Sequence, residues 1–274
     1  MKFRESKVGL ALGSGGARGL AHIGVLEVLA KEGIPVDMIA GTSIGAIVGS
    51  LYAQGKNASQ IKELALELTR HKLTHFIDPS LPKTGLIKGK KIKDSLVSFF
   101  GDDIRFSALK IPFACVATDI ETGEEIILDR GSVAEAVRAS ISIPGIFTVV
   151  KRGGRYLVDG GLVNPVPVSL VRRMGADFII AVNVIPGVVD RAHPAGKEGT
   201  RGSKEPNVIQ VLLQSLHIGA YSLVRASLEG ADVVIEPNVV HFGAGDLNHA
   251  QECILQGELA AQNSIPEIKR QLKT

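Results

Sequence analysis

The chain has 274 residues, of which 45% are hydrophobic, 22% charged and 4% aromatic, with no tryptophan. This length and composition fit one large α/β domain or two small ones, and the scarcity of aromatic rings argues against a single-stranded nucleic-acid binder, which stacks bases on such rings. The formal net charge of +3 is too small to indicate a nucleic-acid partner.

The first 55 residues alternate between apolar strand patterns and helical patterns. Gly33 and Pro35 end the first helix, and the second strand leads directly into a turn flanked by glycines. Such alternation predicts a parallel sheet with crossover helices. The predicted order is strand 7–13, glycine loop 14–19, helix 20–31, strand 36–40, turn 41–45 and a helix to about residue 53.

The rest of the chain continues this mixed pattern with two interruptions. Residues 70–110, with a basic amphipathic helix over 90–100, are expected to form a lid-like insertion, and the Gly/Pro-rich stretch 186–206 a mobile surface loop. A single domain is expected over 7–272. The other predicted elements are helix 59–70, two strands in 112–128, helix 132–139, a hairpin over 147–158, helix 166–174, strand 178–184, helix 207–229, strand 231–235 and a helical carboxyl terminus.

The segment Gly41-Thr-Ser-Ile-Gly45 has the spacing of a turn that presents a nucleophilic serine. A serine on a sharp strand-to-helix turn takes a strained backbone conformation, and the flanking glycines let strand and helix approach closely. The following helix directs its N–H groups and positive dipole end at a forming oxyanion. Ser43 is therefore a candidate nucleophile, and a plain turn whose serine caps the helix is the alternative.

The glycine-rich segment 13–19 is compatible with two functions. It fits a dinucleotide fingerprint poorly, because the glycine spacing is incomplete and no acidic residue ends the second strand. It fits an oxyanion hole better, since consecutive small residues expose neighbouring backbone N–H groups, and parallel topology would put the loop beside Ser43. Arg18 could strengthen the hole, bind a lipid phosphate, or lie on the surface of the first helical turn.

A serine nucleophile needs a base, and no histidine of this chain lies in a persuasive motif. His22 shares a helix face with Arg18, and we expect a structural role for it. Ser43, Asp159 and a late histidine have the chain order of an α/β-hydrolase triad, but the nucleophile follows an unusually early strand. Asp159, at a sharp Asp-Gly-Gly turn, is well placed to present a carboxylate, or is a simple turn residue.

Three segments coincide in order: Gly-Gly-Ala-Arg-Gly at 15–19, Gly-Thr-Ser-Ile-Gly at 41–45 and Asp-Gly-Gly at 159–161. In this combination the chain resembles the patatin-like phospholipase family, and most of all its short bacterial members related to neuropathy target esterase. The similarity covers residues 7–185 and includes the run Arg138–Phe147. It implies a three-layer α/β fold in which helices flank a central, mostly parallel sheet.

The resemblance also implies a Ser–Asp dyad without histidine, with Ser43 as nucleophile and Asp159 as the base. Gly15, Gly16 and Arg18 would line the oxyanion hole. Ser14 departs from the family, which commonly has glycine there, and we expect tolerance because the N–H donors lie after it. No cofactor and no metal are expected. The remaining motif residues are Gly41, Gly45, Gly160 and Gly161.

The implied activity is hydrolysis of carboxylic esters of phospholipids or lysophospholipids through an acyl-enzyme. A partly desolvated carboxylate is a better base for serine than an exposed one, so the dyad is chemically coherent. The alternatives are a short-chain esterase or thioesterase with the same dyad, and a non-catalytic nucleotide-binding regulator.

Location and membrane contact are expectations from charge and hydropathy. The amino terminus lacks a signal-peptide core and both cysteines are expected to be free thiols, so a cytoplasmic protein is expected. Residues 70–100 concentrate lysine and arginine. They could bind anionic headgroups at the membrane periphery while Leu96, Phe99 and Phe100 enter the lipid, or they could form a solvated helix face.

Overall fold

The computed structural model describes residues 6–70, 85–87, 96–101, 103–187 and 208–272. The predicted α/β fold, a mostly parallel sheet flanked by helices, is confirmed. The strands are β1 (Val8–Leu12), β2 (Met38–Thr42), β3 (Gly85–Ile87), β4 (Phe113–Asp119), β5 (Glu125–Leu128), β6 (Gly145–Phe147), β7 (Val150–Arg152), β8 (Arg155–Asp159), β9 (Phe178–Val182) and β10 (Val233–Ile235). The helices are α1 (Ala21–Lys31), α2 (Ile44–Gln54), α3 (Ala58–Arg70), α4 (Val133–Ser140), α5 (Val168–Arg173), α6 (Val208–Ser227) and α7 (Ala250–Leu272).

The main sheet has the strand order β10-β9-β1-β2-β4-β8-β7, with β5 also paired to β4. Strands β10, β9, β1, β2 and β4 are mutually parallel, while β5, β7 and β8 add antiparallel pairs at one side. Leu12 of β1 pairs with Gly41 of β2, so both strands end at the same edge. The glycine loop and the Gly-x-Ser-x-Gly turn therefore begin side by side.

The central parallel strands β1, β2 and β9 are buried on both faces, as parallel strands covered by helices must be. Leu10 and Leu12 of β1 point into a large apolar cluster that includes residues of α1, α2, α3, α4 and α7. Ala11, between them, points to the opposite face, where Val168 and Val171 of α5 pack. This alternation places the sheet between two helical layers.

Helices α1 and α7 cross at glycines that bring their backbones into contact. A Cβ atom on Gly257 of α7 would lie 1.9 Å from the carbonyl oxygen of Ala21, and one on Gly24 of α1 would lie 2.1 Å from that of Ile254. Any side chain at either position would overlap the opposing backbone. The glycines thus hold α7 close to the first crossover helix.

The ends of β2 and β8 meet along one edge of β4. Thr42 pairs with Val116 of β4 in parallel, and Asp159 pairs with the next residue, Ala117, in antiparallel register. Since β5 pairs with residues 115–118 of β4 on the other edge, β2 and β8 must share this edge. Their carboxyl ends therefore face each other, which brings the residues after Thr42 to Asp159.

Several boundaries differ from the sequence expectations. A 3-10 turn over Gly16–Leu20 precedes α1, and β9 ends at Val182 rather than at residue 184. The short pair β3–β6 was not expected, because three-residue strands carry too little periodicity to be recognised. The hairpin turning at Gly153 and Gly154 is present as β7–β8.

The expected lid-like insertion and mobile loop lie largely outside the described residues. Residues 71–84 and 88–95, which hold most of the basic side chains, and the loop residues 188–206 belong to the parts left undescribed. Leu96 and Phe100 are only 3% exposed and pack into the core, so in this structure their side chains are not available for contact with lipid. No helix in the described ranges is long and apolar enough to cross a bilayer.

Candidate active site

Ser43 stands on the sharp turn between β2 and α2. Its backbone has φ 56° and ψ −120°, and it is the one non-glycine residue with positive φ among those described. Such a conformation is strained for a residue with a Cβ atom and is held by its surroundings. Here the Ser43 N–H donates to Ser140 Oγ at 2.9 Å, and Thr42 Oγ1 donates to the Asn164 carbonyl at 2.9 Å.

The two glycines flanking Ser43 permit the tight approach that the motif requires. A Cβ atom on Gly45 would lie 2.2 Å from the carbonyl oxygen of Leu12, and one on Gly41 would lie 2.5 Å from that of Gly45. The first helical turn of α2 therefore lies directly against the end of β1. Ser43 itself is 6% exposed.

The hydroxyl of Ser43 is bonded to the carboxyl group of Asp159. Ser43 Oγ donates to Asp159 Oδ2 at 2.6 Å, and the Gly161 N–H donates to Asp159 Oδ1 at 2.8 Å. Burial raises the pKa of Asp159 from 3.8 to about 6, while the two hydrogen bonds act in the opposite direction. At neutral pH the carboxyl group is therefore mostly ionised and more basic than an exposed aspartate.

The backbone of Asp159 is fixed on both sides. Its N–H donates to the Ser142 carbonyl at 3.0 Å, and its carbonyl accepts from Thr118 Oγ1 at 2.8 Å. Ser142 is in turn bonded to the guanidinium of Arg138, a buried side chain that also donates to the Thr148 carbonyl. The segment after α4 thus supports the carboxylate, as Ser140 supports Ser43.

The glycine loop faces the same cavity as Ser43. Neither the Gly15 nor the Gly16 N–H donates a hydrogen bond within the described part of the chain, whereas the neighbouring Ser14 and Ala17 N–H groups are both occupied. Gly16 has φ 62°, and a Cβ atom there would lie 2.2 Å from the carbonyl oxygen of Ala244. The loop therefore offers two adjacent N–H groups beside the serine.

The structure puts Arg18 behind this loop rather than in the cavity or on the surface. Its side chain is fully buried, and its Nε donates to the Phe242 carbonyl at 2.7 Å. Among the described residues, the two terminal nitrogens of its guanidinium have no hydrogen-bond partner. Because Ala17 N–H also donates to the Ala244 carbonyl at 2.7 Å, Arg18 and Ala17 together attach segment 242–246 to the glycine loop.

His22 is fully buried in α1 and does not line the cavity. Its Nε2 donates to the Gly13 carbonyl at 2.8 Å, and burial lowers its pKa from 6.5 to about 4. The imidazole is therefore neutral at physiological pH and holds the start of the glycine loop, which agrees with a structural role.

A cavity of about 160 Å³ lies over the serine and the carboxylate. Apart from the glycine loop, Ser43 and Asp159, its wall is mostly apolar. Asp159 and His217 are its two titratable lining residues among those described. The remaining lining residues are Ser14, Ile143, Pro144, Gly161, Leu162, Ile185, Leu213, Leu216, Ala220 and Ala244.

Sequence reasoning missed the residues that complete this cavity from the second half of the chain. Leu213, Leu216, His217 and Ala220 lie on α6, and Ala244 lies in a loop that follows β10. None of them carries a recognisable motif. The helical spacing of the four α6 positions was the only available signal, and it does not reveal which surface the helix covers.

Comparisons with known proteins agree with the predicted resemblance. The family model described as patatin-like phospholipase matches residues 10–172. An uncharacterised NTE family protein of Mycobacterium bovis is 37% identical over 74% of this chain and 53% of its own length. Neuropathy target esterase of Drosophila melanogaster is 36% identical over 65% of this chain and 13% of its own length.

The chain thus spans about half or less of these curated relatives. Among solved structures, VipD from Legionella pneumophila matches with a TM-score of 0.62 at 12% identity, over 96% of this chain and 67% of VipD, which shows a shared fold. The family match covers the glycine loop, the serine turn and the Asp-Gly-Gly turn. The chain belongs to the patatin-like phospholipase family.

Proposed function

We propose that this chain is a serine esterase that hydrolyses carboxylic esters of phospholipids or lysophospholipids through a Ser43–Asp159 dyad. The observation that carries the proposal is the 2.6 Å hydrogen bond from Ser43 Oγ to a carboxyl group that is itself buried. Family membership supports the substrate class. The apolar wall of the cavity supports an acyl chain as the bound group.

Acylation begins with attack of Ser43 Oγ on the ester carbonyl carbon while the hydroxyl proton passes to Asp159 Oδ2. A negative charge then develops on the former carbonyl oxygen. The free N–H groups of Gly15 and Gly16 are the donors for it, and the positive end of α2 favours the same charge. Collapse of this intermediate breaks the bond to the alcohol, which leaves with the proton from Asp159.

Deacylation repeats these steps with water as the nucleophile. Asp159 takes a proton from the water that attacks the acyl-serine, and the proton returns to Ser43 Oγ as the carboxylic acid departs. A carboxylate with a pKa of about 6 can accept and release the proton near neutral pH. The proposed mechanism therefore uses no histidine.

Fluorophosphonate labelling tests the serine hydrolase assignment. The wild-type chain is expected to be labelled at Ser43, and Ser43→Ala is expected to be unlabelled. Ser50→Ala is the matched control, because Ser50 is a buried serine of α2 whose hydroxyl donates to the Ile47 carbonyl of the same helix. Unlabelled wild type, or equal labelling of Ser43→Ala, would contradict the proposal.

A substrate panel tests the lipid class separately. Turnover of p-nitrophenyl esters is expected to rise with acyl-chain length from acetate to at least octanoate, and lysophospholipid is expected to be cleaved. Preference for acetate, or for an acyl thioester over the matching oxygen ester, would favour the short-chain esterase or thioesterase instead.

A further inference from the structure

Helix α6 has an unusual composition for a helix at a protein surface. Among the 20 residues of Val208–Ser227, Arg225 is the only lysine, arginine, aspartate or glutamate. Surface helices normally present charged or polar residues on the side away from the core. Here several large apolar side chains are exposed instead: Val208 (84%), Val211 (49%), Leu212 (36%), Leu213 (37%), Ile218 (49%) and Tyr221 (40%), and Leu213 also lines the cavity that holds Ser43.

The opposite side of α6 forms one wall of the catalytic cavity. Leu213, Leu216, His217 and Ala220 share a cavity with Ser43, at the i, i+3, i+4, i+7 spacing of a single helix face. The helix is therefore apolar both toward the serine and toward solvent. The exposed side, called here the α6 outer face (Val208, Val211, Leu212, Ile218 and Tyr221), borders the cavity that would receive the substrate.

We infer that the α6 outer face docks the protein on a phospholipid surface, with the helix lying in the plane of the headgroups. This inference rests on the proposed function, because it assumes that the substrate is drawn from a lipid aggregate. A lipid that leaves the aggregate beside α6 enters the cavity without exposing its acyl chain to water. An apolar helix between the membrane and Ser43 therefore lowers the free-energy cost of moving the acyl chain from the lipid to the cavity.

Charge and length agree with an interfacial position. The absence of acidic residues from α6 removes electrostatic repulsion from lipid phosphates, and Arg225 adds a positive charge near its end. A helix of this length extends about 30 Å, which is long enough to present both Val211 and Ile218 to one flat surface. The described helices do not qualify as membrane spans, so this helix would lie on the bilayer.

The α6 outer face is distinct from Leu96 and Phe100, which are two of the three apolar residues expected from sequence to contact lipid. Leu96 and Phe100 are buried in the core and cannot enter a bilayer without unfolding their surroundings. Leu255 and Leu259 of α7 are exposed to the same degree as Val211, at 48% and 45%, but they are absent from the cavity lining. They provide a matched control for exposed apolar area without access to the cavity.

Vesicle binding and hydrolysis test the inference with paired variants. We expect wild type to sediment with vesicles of phosphatidylcholine and phosphatidylglycerol. The double variant Val211→Ser/Ile218→Ser should bind these vesicles at least about 10-fold more weakly, because it buries less apolar area in the lipid. Its rate of hydrolysis of vesicle phospholipid should fall by a similar factor, while its turnover of soluble p-nitrophenyl butyrate should stay at the wild-type level. Leu255→Ser with Leu259→Ser should behave as wild type in all three assays.

The absence of tryptophan from this chain permits a second measurement that does not depend on activity. Val211→Trp introduces a single indole on the α6 outer face, and Leu255→Trp introduces one on α7. Adding vesicles should shift the emission of the first to shorter wavelength and leave the second unchanged. Equal emission from both reporters in the presence of vesicles would overturn the inference.

Other outcomes separate this inference from the proposed function. If wild type cleaves soluble ester but does not bind vesicles, or if the Val211/Ile218 double variant binds as wild type does, the docking inference is wrong. If vesicle binding depends on α6 while no ester of any kind is cleaved, the proposed function fails and the docking surface stands. If the double variant only turns a dimer into a monomer, the α6 outer face is an interface between copies, and the docking inference is wrong.

Discussion

Asp159 combines the two properties that a lone carboxylate needs to serve as a base for serine. Burial raises its pKa to about 6, and its two hydrogen bonds keep that value from rising further. An aspartate with an ordinary pKa near 4 would be ionised but weakly basic, whereas a much higher pKa would leave it protonated at neutral pH. The degree to which Asp159 is desolvated therefore sets whether it is both ionised and basic at neutral pH, as the proposed mechanism requires.

The pH dependence of ester hydrolysis follows from this pKa. The proposed activity needs the ionised carboxylate, so kcat/KM is expected to rise with pH through about 6 and to level off above about 7. Steady-state kinetics on p-nitrophenyl butyrate between pH 4.5 and 8 would measure this. An acidic limb centred near 4 would mean that the carboxyl group is not desolvated in the working enzyme.

Replacing Arg18 is expected to lower activity without lowering stability. Arg18→Met removes the bond to the Phe242 carbonyl that helps fix the glycine loop, and kcat should fall about 10-fold with little change in KM. The same change removes a buried guanidinium whose terminal nitrogens have no partner among the described residues, so the melting temperature should stay equal or rise. Parallel kinetics and thermal unfolding would check both.

Arg18→Lys distinguishes geometry from charge at this position. Lysine keeps the positive charge but cannot reproduce the planar group that reaches Phe242, and we expect its kcat to fall as far as that of Arg18→Met. Near-normal activity of Arg18→Lys would show that charge alone matters. A large drop in the melting temperature of both variants would contradict the positioning role.

Packing of the helices depends on glycines where α1 and α7 cross. Gly257→Ala would force its new methyl group against the Ala21 carbonyl, 1.9 Å away, and the helices would have to separate. Such overpacking costs about 1–3 kcal/mol, or roughly 2–10 °C in melting temperature for a chain of this size. Calorimetry would measure the loss, and the folded fraction should retain its labelling at Ser43.

Gly219→Ala is the matched control within another helix. No atom lies within 4 Å of a Cβ atom built at Gly219 of α6. Alanine there should stabilise the fold by up to about 1 kcal/mol through higher helix propensity. Equal destabilisation by both substitutions would mean that close approach at Gly257 is not the cause.

The local elements could be predicted from sequence, but their long-range pairing could not. The strand, glycine loop, helix, strand and serine turn of the first 55 residues follow from periodicity and from glycine positions. The head-to-head meeting of β2 and β8 along β4 depends on contacts between residues more than 100 positions apart, such as Ser43 and Asp159. Only the family resemblance connected these two motifs before the structure did.

The same limit explains Arg18, His22 and α6. From sequence alone, an arginine is predicted to lie on the surface or to bind an anionic group, because unpaired charges are rarely buried. The 242–246 segment that receives its hydrogen bond lies outside the region matched by the family. For α6, periodicity could predict the helix, but only the fold shows that one side meets Ser43 while the other is exposed.

For the molecule as a whole, Asp159 and His22 have opposite effects on the pH dependence of stability. The folded state binds the Asp159 proton more tightly than the unfolded chain, so this carboxyl favours folding increasingly as pH falls below about 6. His22 has a pKa of 6.5 in the unfolded chain and of about 4 in the folded protein, so the unfolded chain binds this proton more tightly. His22 therefore disfavours folding increasingly as pH falls from about 6.5 to 4. The two contributions partly cancel between pH 4 and 6.

Single substitutions should remove this cancellation. The free energy of unfolding of Asp159→Asn is expected to fall more steeply than that of wild type as pH decreases from 6.5 to 4, by at most about 1.4 kcal/mol per pH unit. His22→Gln should show the opposite difference, a shallower fall than wild type. Urea unfolding across this range would measure both, and parallel curves for all three proteins would exclude the two pKa shifts.

The comparison of Ser43→Ala with Asp159→Asn addresses the dyad most directly. If Asp159 is the sole base, kcat of Asp159→Asn on p-nitrophenyl butyrate should fall by about 10²–10⁴, as far as that of Ser43→Ala. His217→Asn, which changes the other titratable residue that lines the cavity among those the structure describes, should not approach that loss. Turnover by Asp159→Asn above about one-tenth of wild type, or complete loss in His217→Asn, would contradict the Ser43–Asp159 dyad.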